Sequence, residues 1–202
     1  MKTQMRFQKY LILAILIFAA LSFVYALSFC GGTIAQYATL YDHVNKEEIV
    51  DGAKALFEAS QKYNDILIWL AIAFILVVVL NYVMATNKRR NYYVTNYVST
   101  GITVAYAIAF AVALAIILMN TYSLFIAIDT EVAAEELAYT SMELKYSTST
   151  FILGYVVAGV SIVCAGLMIF NLVWKIKLMQ GEKKLLEASP VHSEQVTAEE
   201  GV

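Results

Sequence analysis

Acidic side chains and one histidine lie at two places in the chain, and their types are suited to binding a metal ion. The first group is Asp42, His43, Glu47 and Glu48, and the second is Asp129, Glu131 and Glu135. Carboxylates and an imidazole that meet in space can share a divalent cation. The candidate metal site is therefore Asp42, His43, Glu47, Asp129 and Glu131. Acidic residues also stabilise helix N-termini, and that ordinary role is the simpler explanation.

The rest of the sequence shows no motif for catalysis or for a cofactor. Gly31-Gly32 and Gly181 are isolated glycines, whereas nucleotide-binding loops need several glycines at fixed spacing. His43 and His192 are the two histidines, too few for a His-rich metal site. We therefore expect a protein that is not an enzyme and that carries no cofactor.

Composition and four apolar runs indicate the fold that positions these residues. The 202-residue chain is 60% hydrophobic and 15% charged, with a mean hydropathy of +0.67. A soluble domain is usually about half apolar and about a quarter charged. Residues 10–29, 66–84, 98–119 and 151–174 are apolar runs without Asp, Glu, Lys, Arg or His. Because about 20 apolar residues cross a bilayer, the sequence predicts an all-α, polytopic bundle of four transmembrane helices.

Basic residues lie mainly on one side of the predicted spans. The N-terminus (1–9), the inner loop (85–97) and the segment after the fourth span carry Lys2, Arg6, Lys9, Lys88, Arg89, Arg90, Lys175, Lys177, Lys183 and Lys184. Loops rich in Lys and Arg stay in the cytoplasm. We therefore predict a multi-pass protein of the cell membrane with both termini cytoplasmic. Lys88, Arg89 and Arg90 are also candidates for contact with anionic lipid, although their role in setting the topology is the preferred explanation.

The two outer segments, 31–65 and 120–150, show the apolar periodicity of helices rather than the composition of flexible linkers. Asn45 followed by Glu48 resembles a capping box, and Asp129 precedes a second acidic helix start. The sequence therefore predicts two helical hairpins that extend outside the membrane by roughly 20 Å. Together with the spans they form a membrane domain over 10–186, followed by a tail, 187–202, that is expected to be disordered.

The first apolar run has a second interpretation, as a cleaved signal peptide. It follows a basic start and ends near Ala26-Leu27-Ser28, which resembles a cleavage site. However, a run of about 20 residues is longer than the usual apolar region of a signal peptide. We prefer a retained transmembrane helix and leave cleavage open.

Small residues predict how the spans pack, because lipid provides no hydrophobic drive and close contact must take its place. In the third span, one row at four-residue spacing is Gly101, Ala105, Ala109 and Ala113. A second row is Thr103, Ala107, Ala111 and Ala115. The fourth span offers Gly154 and Ala158. We therefore predict close packing between the third and fourth spans.

The two halves of the chain share a plan of span, acidic segment, span and basic stop. Lys62-Tyr63 matches Lys145-Tyr146 in position, and Asn81 matches Asn171. These two matches imply different offsets along the chain, so residue-level similarity is poor. An internal duplication stays an open alternative to convergence on a simple hairpin plan.

Function is less constrained than fold by this sequence. Spans without charged residues favour a protein that acts through contacts with other proteins, as an accessory, scaffold or assembly subunit of a membrane complex. The main alternative is a homo-oligomeric channel or small-solute permease, with acidic hairpins at its mouth. A sensor and a membrane-embedded enzyme are less favoured, because the tail is too short for an output domain and the spans contain no catalytic carboxylates.

Overall fold

The computed structural model describes residues 2–31, 33–42, 47–86, 94–139 and 147–187. The elements are α1 (Lys2–Ser28), α2 (Thr33–Ala38), β1 (Tyr41–Asp42), β2 (Glu47–Glu48), α3 (Ala53–Thr86), α4 (Val94–Ala127), α5 (Thr130–Tyr139) and α6 (Ser149–Glu187). His43, the basic residues Lys88, Arg89 and Arg90, and the tail from residue 188 lie outside the described residues, so the predictions made for them stay predictions.

The predicted all-α bundle of four membrane-length helices is confirmed. Stretches of α1, α3, α4 and α6 are long and apolar enough to cross a membrane. Those of α3, α4 and α6 contain the corresponding predicted spans, and that of α1 contains all but the last residue of its span. At 1.5 Å per residue, the 34 residues of α3 measure about 50 Å, well beyond the roughly 30 Å hydrocarbon core of a bilayer. The chain is therefore a membrane protein whose helices continue outside the apolar layer.

The four long helices form a closed ring. The largest interface joins α4 to α6, and similar interfaces join α1 to α3 and α3 to α4. A smaller contact between α1 and α6 completes the ring. The start of α1 and the end of α6 lie at one end of the bundle, here called the terminal end. The segments between α1 and α3 and between α4 and α6 form the opposite, hairpin end.

Large apolar side chains fill the middle of the ring. Phe74 of α3 stacks on Phe110 of α4, with ring centroids 5.3 Å apart, and meets the edge of Phe18 from α1. Leu114 and Met168 are also buried. Their counterparts on the outer surface are exposed and equally apolar, as lipid contact requires. The exposed set includes Ile17, Leu21, Leu76, Leu80, Val112, Ile116, Val156 and Val163.

The segment between α1 and α3 only partly follows the predicted helical hairpin. α1 ends at Ser28, and a turn closed by a hydrogen bond from the Gly31 amide to the Ser28 carbonyl separates it from α2. The predicted capping box at Asn45 and Glu48 is wrong. Glu48 pairs with Tyr41 in the short β1–β2 ladder, and α3 begins only at Ala53.

Glu48 nevertheless caps α3 from a distance in sequence. Its carboxylate accepts hydrogen bonds from the backbone amides of Gly52, at 2.7 Å, and Lys54, at 3.3 Å. Gly52 has a φ of 88°, a conformation that favours glycine, and this lets the chain turn from β2 into the helix. The acidic side chain therefore satisfies amides at the helix N-terminus, as the sequence suggested, but by another route.

The second hairpin follows the prediction more closely. α4 continues to Ala127, and α5 starts at Thr130 after a short break. Asp129 accepts hydrogen bonds from the backbone amides of Glu131, at 2.9 Å, and Val132, at 3.4 Å. Asp129 therefore is the predicted cap of a helix N-terminus.

The predicted packing of the third span against the fourth is confirmed, but one of the two small-residue rows in α4 faces outward. In the second row, Thr103, Ala107 and Ala111 are buried. The hydroxyl of Ser161 in α6 donates to the Ala107 carbonyl at 2.9 Å. In the first row, Gly101, Ala105 and Ala109 are exposed and Ala113 is half-buried. The first row therefore contributes little to the interface inside the bundle, although the sequence predicted that it would pack there.

Gly154 and Ala158 of α6 are both buried, as predicted for packing positions. A Cβ added at Gly154 would lie 2.7 Å from both terminal carbons of Leu118 in α4 and would also overlap the Tyr25 hydroxyl of α1. The absence of a side chain at this residue therefore allows three helices to approach one another.

We predict that Gly154→Val lowers the free energy of unfolding by about 1–3 kcal/mol, because the added carbons must displace Leu118 and Tyr25. The matched control is Gly159→Val in the same helix, where an added Cβ meets nothing within 4 Å. That control should change stability by less than about 0.5 kcal/mol. Unfolding of both variants in the same lipid or detergent checks this, and equal stabilities would contradict the packing.

Candidate functional site: a buried polar layer

The terminal end of the bundle contains a layer of buried polar side chains supplied by all four long helices. Its members are Gln4 and Gln8 of α1, Asn81 of α3, Asn96, Thr100 and Thr103 of α4, and Asn171 and Lys175 of α6. Each is at most 4% exposed. Polar side chains at membrane depth are costly unless they are paired, so such a layer is the first place to look for function.

Two amide pairs fasten α1 into this layer. The Gln4 side-chain amide donates to the Asn171 carbonyl oxygen at 2.9 Å, which joins α1 to α6. One turn further on, the Gln8 amide donates to Asn96 at 3.2 Å, which joins α1 to α4. The Gln4–Asn171 bond crosses the α1–α6 seam, where the contact between neighbouring helices of the ring is smallest. It therefore reinforces the closure of the ring at its least packed contact.

Asn81 makes the corresponding link between α3 and α4. Its side-chain oxygen lies 3.3 Å from the Ser99 hydroxyl and 3.5 Å from the Thr100 hydroxyl. The Thr103 hydroxyl instead donates to the Ser99 carbonyl of its own helix at 2.9 Å. Asn81 Nδ2 and Gln8 Oε1 make no hydrogen bond to the described residues. One donor and one acceptor in the layer therefore have capacity for further polar contacts.

Lys175 is the one cation among the described residues of this layer. It is 4% exposed, and its ammonium group lies 5.1 Å from the centre of the Tyr97 ring. The Tyr97 hydroxyl in turn donates to the sulfur of Met179, one turn further along α6. An ammonium over an aromatic face is stabilised by the ring quadrupole, more so where water is excluded. The aromatic side chain therefore helps the bundle accommodate this charge.

Sequence reasoning missed the layer, and above all Lys175. It counted Lys175 among the basic residues that follow the fourth span, and it did not connect Asn81 and Asn171 with the polar residues of the other helices. The helical spacing of these polar residues could have revealed the layer. Asn171 and Lys175 are four residues apart, as are Gln4 and Gln8, so each pair lies on one helix face.

The candidate metal site at the hairpins is not assembled from the described residues. Asp129 is engaged as the cap of α5, and Glu47 and Glu131 are exposed. His43 lies outside the described residues, as does the side chain of Asp42. In the part of the chain that the structure describes, no three His, Cys, Asp or Glu side chains are grouped to hold a metal ion. The metal site therefore stays a prediction.

The two hairpins do meet, but through apolar contacts. The Tyr37 ring of α2 packs against Phe125 near the end of α4, with ring centroids 5.0 Å apart. A Cβ added at Gly52 would touch the side chain of Ile128 at 3.4 Å. The hairpin end is therefore a small packed unit in its own right.

Comparisons with family models, with curated proteins and with solved structures find no match to this chain.

We predict that Gln4 and Asn171 are energetically coupled, because their side chains share a buried hydrogen bond. A double-mutant cycle with Gln4→Leu and Asn171→Leu should give a coupling free energy of about 0.6–2 kcal/mol, the range for such bonds in membranes. The control cycle pairs Gln4→Leu with Ser161→Ala, whose hydroxyl bonds Ala107 near the middle of the bundle. The effects of these two substitutions on the free energy of unfolding should add to within about 0.5 kcal/mol. Equal coupling in both cycles would contradict a specific bond.

Proposed function

We propose that this chain is a non-enzymatic, multi-pass protein of the cell membrane that works through contacts with other membrane proteins. In this role it is an accessory, scaffold or assembly subunit of a larger complex. The observation that carries the proposal is the contrast between a filled interior and an outward-facing row of small residues on α4.

The filled interior argues against a pore for solutes through the centre of a single bundle. Phe74, Phe110 and Leu114 are fully buried between the polar layer and the hairpin end. A solute that reached the polar layer from the terminal end would meet this apolar core, where the buried hydroxyls of Ser22 and Ser161 already donate to backbone carbonyls. The pairing of Gln4 with Asn171 likewise points the polar groups of the layer at each other.

The exposed row on α4, Gly101, Ala105 and Ala109, supports contact with a partner helix. Small residues at four-residue spacing let two helix backbones approach closely in lipid. The flanking side chains Ile102 and Val112 are 53% and 52% exposed. They are β-branched, so they lose little rotamer freedom when a second helix packs on them. The α4 outer row is thus suited to a second transmembrane helix.

The proposed orientation places the terminal end in the cytoplasm. Arg6, Lys177, Lys183 and Lys184 are exposed at this end, and the excess of Lys and Arg in cytoplasmic segments supports this side for it. Lys88, Arg89 and Arg90 would join them between α3 and α4, where contact with anionic lipid is part of the proposal.

A homo-oligomeric channel is the alternative, and its pore would have to run between copies of the chain. The exposed side chains along the middle of the helices offer such a pore an apolar wall, as at Ile17, Leu76 and Val163. An apolar wall raises the barrier to ions. This observation favours the accessory role over the channel.

We predict that Ala105→Leu with Ala109→Leu weakens association with the partner at least about tenfold, because the added carbons separate the two helix backbones. The protein is extracted gently from its native membrane, and the mass and composition of its complex are measured. The control is Ala14→Leu with Ala20→Leu, the same change at two exposed positions of α1.

The expected result is a defined hetero-complex for the native protein and the α1 control, and loss of the partner for the α4 variant. Equal retention in both variants would reject the α4 outer row as the contact. A symmetric homo-oligomer without any other protein would reject the accessory role and favour the channel.

A further inference from the structure

A cavity of about 280 Å³ lies at the hairpin end, between α2 and the first turns of α3. Its apolar walls are Ile34, Ala35 and Ala38 of α2, with Phe57 of α3 opposite them. For scale, an apolar cavity of about 150 Å³ holds one benzene molecule. The space between α2 and α3 is therefore large enough for a small bicyclic molecule.

Four of the side chains that line this cavity can form hydrogen bonds, namely Cys30, Thr39, Ser60 and Gln61, and of these Ser60 and Cys30 are the least exposed. Ser60 of α3 lines it, is 2% exposed, and has a hydroxyl oxygen without a hydrogen-bond partner among the described residues. Cys30, in the turn after α1, lines the cavity next to it and donates its thiol hydrogen to the Ser60 carbonyl at 3.3 Å. A buried hydroxyl without a partner costs about 1–3 kcal/mol, and a bound polar group can recover this.

The chemistry of the cavity favours a neutral ligand. All of its lining side chains are uncharged. Burial, and secondarily the negative charge of Asp65, raise the pKa of the Cys30 thiol to about 11. Cys30 is therefore largely protonated at neutral pH, so its thiol donates a hydrogen bond and reacts with electrophiles only slowly, through its small thiolate fraction.

The location favours a ligand that collects at the membrane surface. Cys30 follows the end of the apolar helix α1 by two residues, and Ser60 precedes the apolar run that begins at Ile66 by six. At 1.5 Å per residue, Ser60 lies roughly 10 Å outside the apolar part of α3. The head groups extend about 5–8 Å beyond the hydrocarbon core on each side, so Ser60 would lie near their outer edge, where amphipathic molecules can reach it from the membrane surface.

We propose that the cavity between α2 and α3 is a binding site for a small neutral amphipathic molecule, with its apolar part against Phe57 and Ile34 and a polar group hydrogen-bonded to Ser60. This site is separate from the α4 outer row and from the polar layer. The proposal therefore stands or falls independently of the proposed accessory role.

The test uses Cys30 as a reporter of occupancy in the full chain. Cys164→Ala leaves Cys30 as the one thiol, since the chain has two cysteines. The rate of alkylation by N-ethylmaleimide is measured by intact mass in lipid nanodiscs, with and without naphthalene-2-carboxamide. This neutral bicyclic probe should slow alkylation saturably, at least about threefold. The anionic analogue naphthalene-2-carboxylate should have little effect.

Two variants test whether the carboxamide slows alkylation by binding in the cavity. Ser60→Ala should raise the half-saturating concentration of the carboxamide about 2–10-fold, the value of one hydrogen bond. Ala35→Trp, at an exposed position on the rim, should fill the cavity and abolish the dependence on the probe.

A control detects probe that acts only by dissolving in the lipid. In a Cys30→Ser, Cys164→Ala background, Ala55→Cys places the thiol at an exposed site of α3 outside the cavity lining. Slowing at this control, equal effects of the amide and the carboxylate, or no effect of the amide would each overturn the proposal. Since its raised pKa alone can make Cys30 unreactive, a thiol that does not react without probe is replaced as the readout by calorimetry of carboxamide binding to the native protein and to Ala35→Trp. Equal heats for the two proteins would then overturn the proposal.

Discussion

The structure depends on one constraint: in hydrocarbon, a polar group has to find its partner within the protein, because no water is available. Gln4, Gln8, Asn81 and Asn171 are polar side chains buried among helices that are otherwise apolar. Each lies on the face of its helix that can reach a polar group on a neighbour. The rotation of every long helix about its axis follows from that requirement, and with it the identity of the lipid-facing surface.

The same constraint connects the interior to the proposed function. The amides bond to each other and Phe74 stacks on Phe110, so protein groups fill much of the centre of the bundle. Lys175 fits this arrangement because its apolar stem can be buried while the ammonium lies over Tyr97. The interactions that we propose with other molecules accordingly use the α4 outer row and the cavity at the hairpin end.

Much of the fold could be predicted because long uncharged apolar runs have few alternatives to crossing a membrane as helices. The rotation of each helix about its own axis could not be predicted, and the two small-residue rows of α4 illustrate why. Both rows suit close packing, and only the partners in three dimensions decide that Ala107 faces α6 while Ala105 faces outward. Similarly, Asn45 and Glu48 predicted a helix start from their spacing alone. In the structure Glu48 instead pairs with Tyr41, seven residues earlier, in a short β-ladder. Asp129 was predictable because its partners, the amides of Glu131 and Val132, are its neighbours in sequence.

The most direct test of a sealed bundle is ion flux through liposomes that contain the purified protein alone. If the bundle is sealed, we expect the flux to equal that of protein-free liposomes, both for the native protein and for Asn81→Leu. Flux that depends on the protein and that changes with Asn81→Leu would contradict it. Such a result would mean that ions pass through the polar layer, and that the apolar core around Phe74 opens under working conditions.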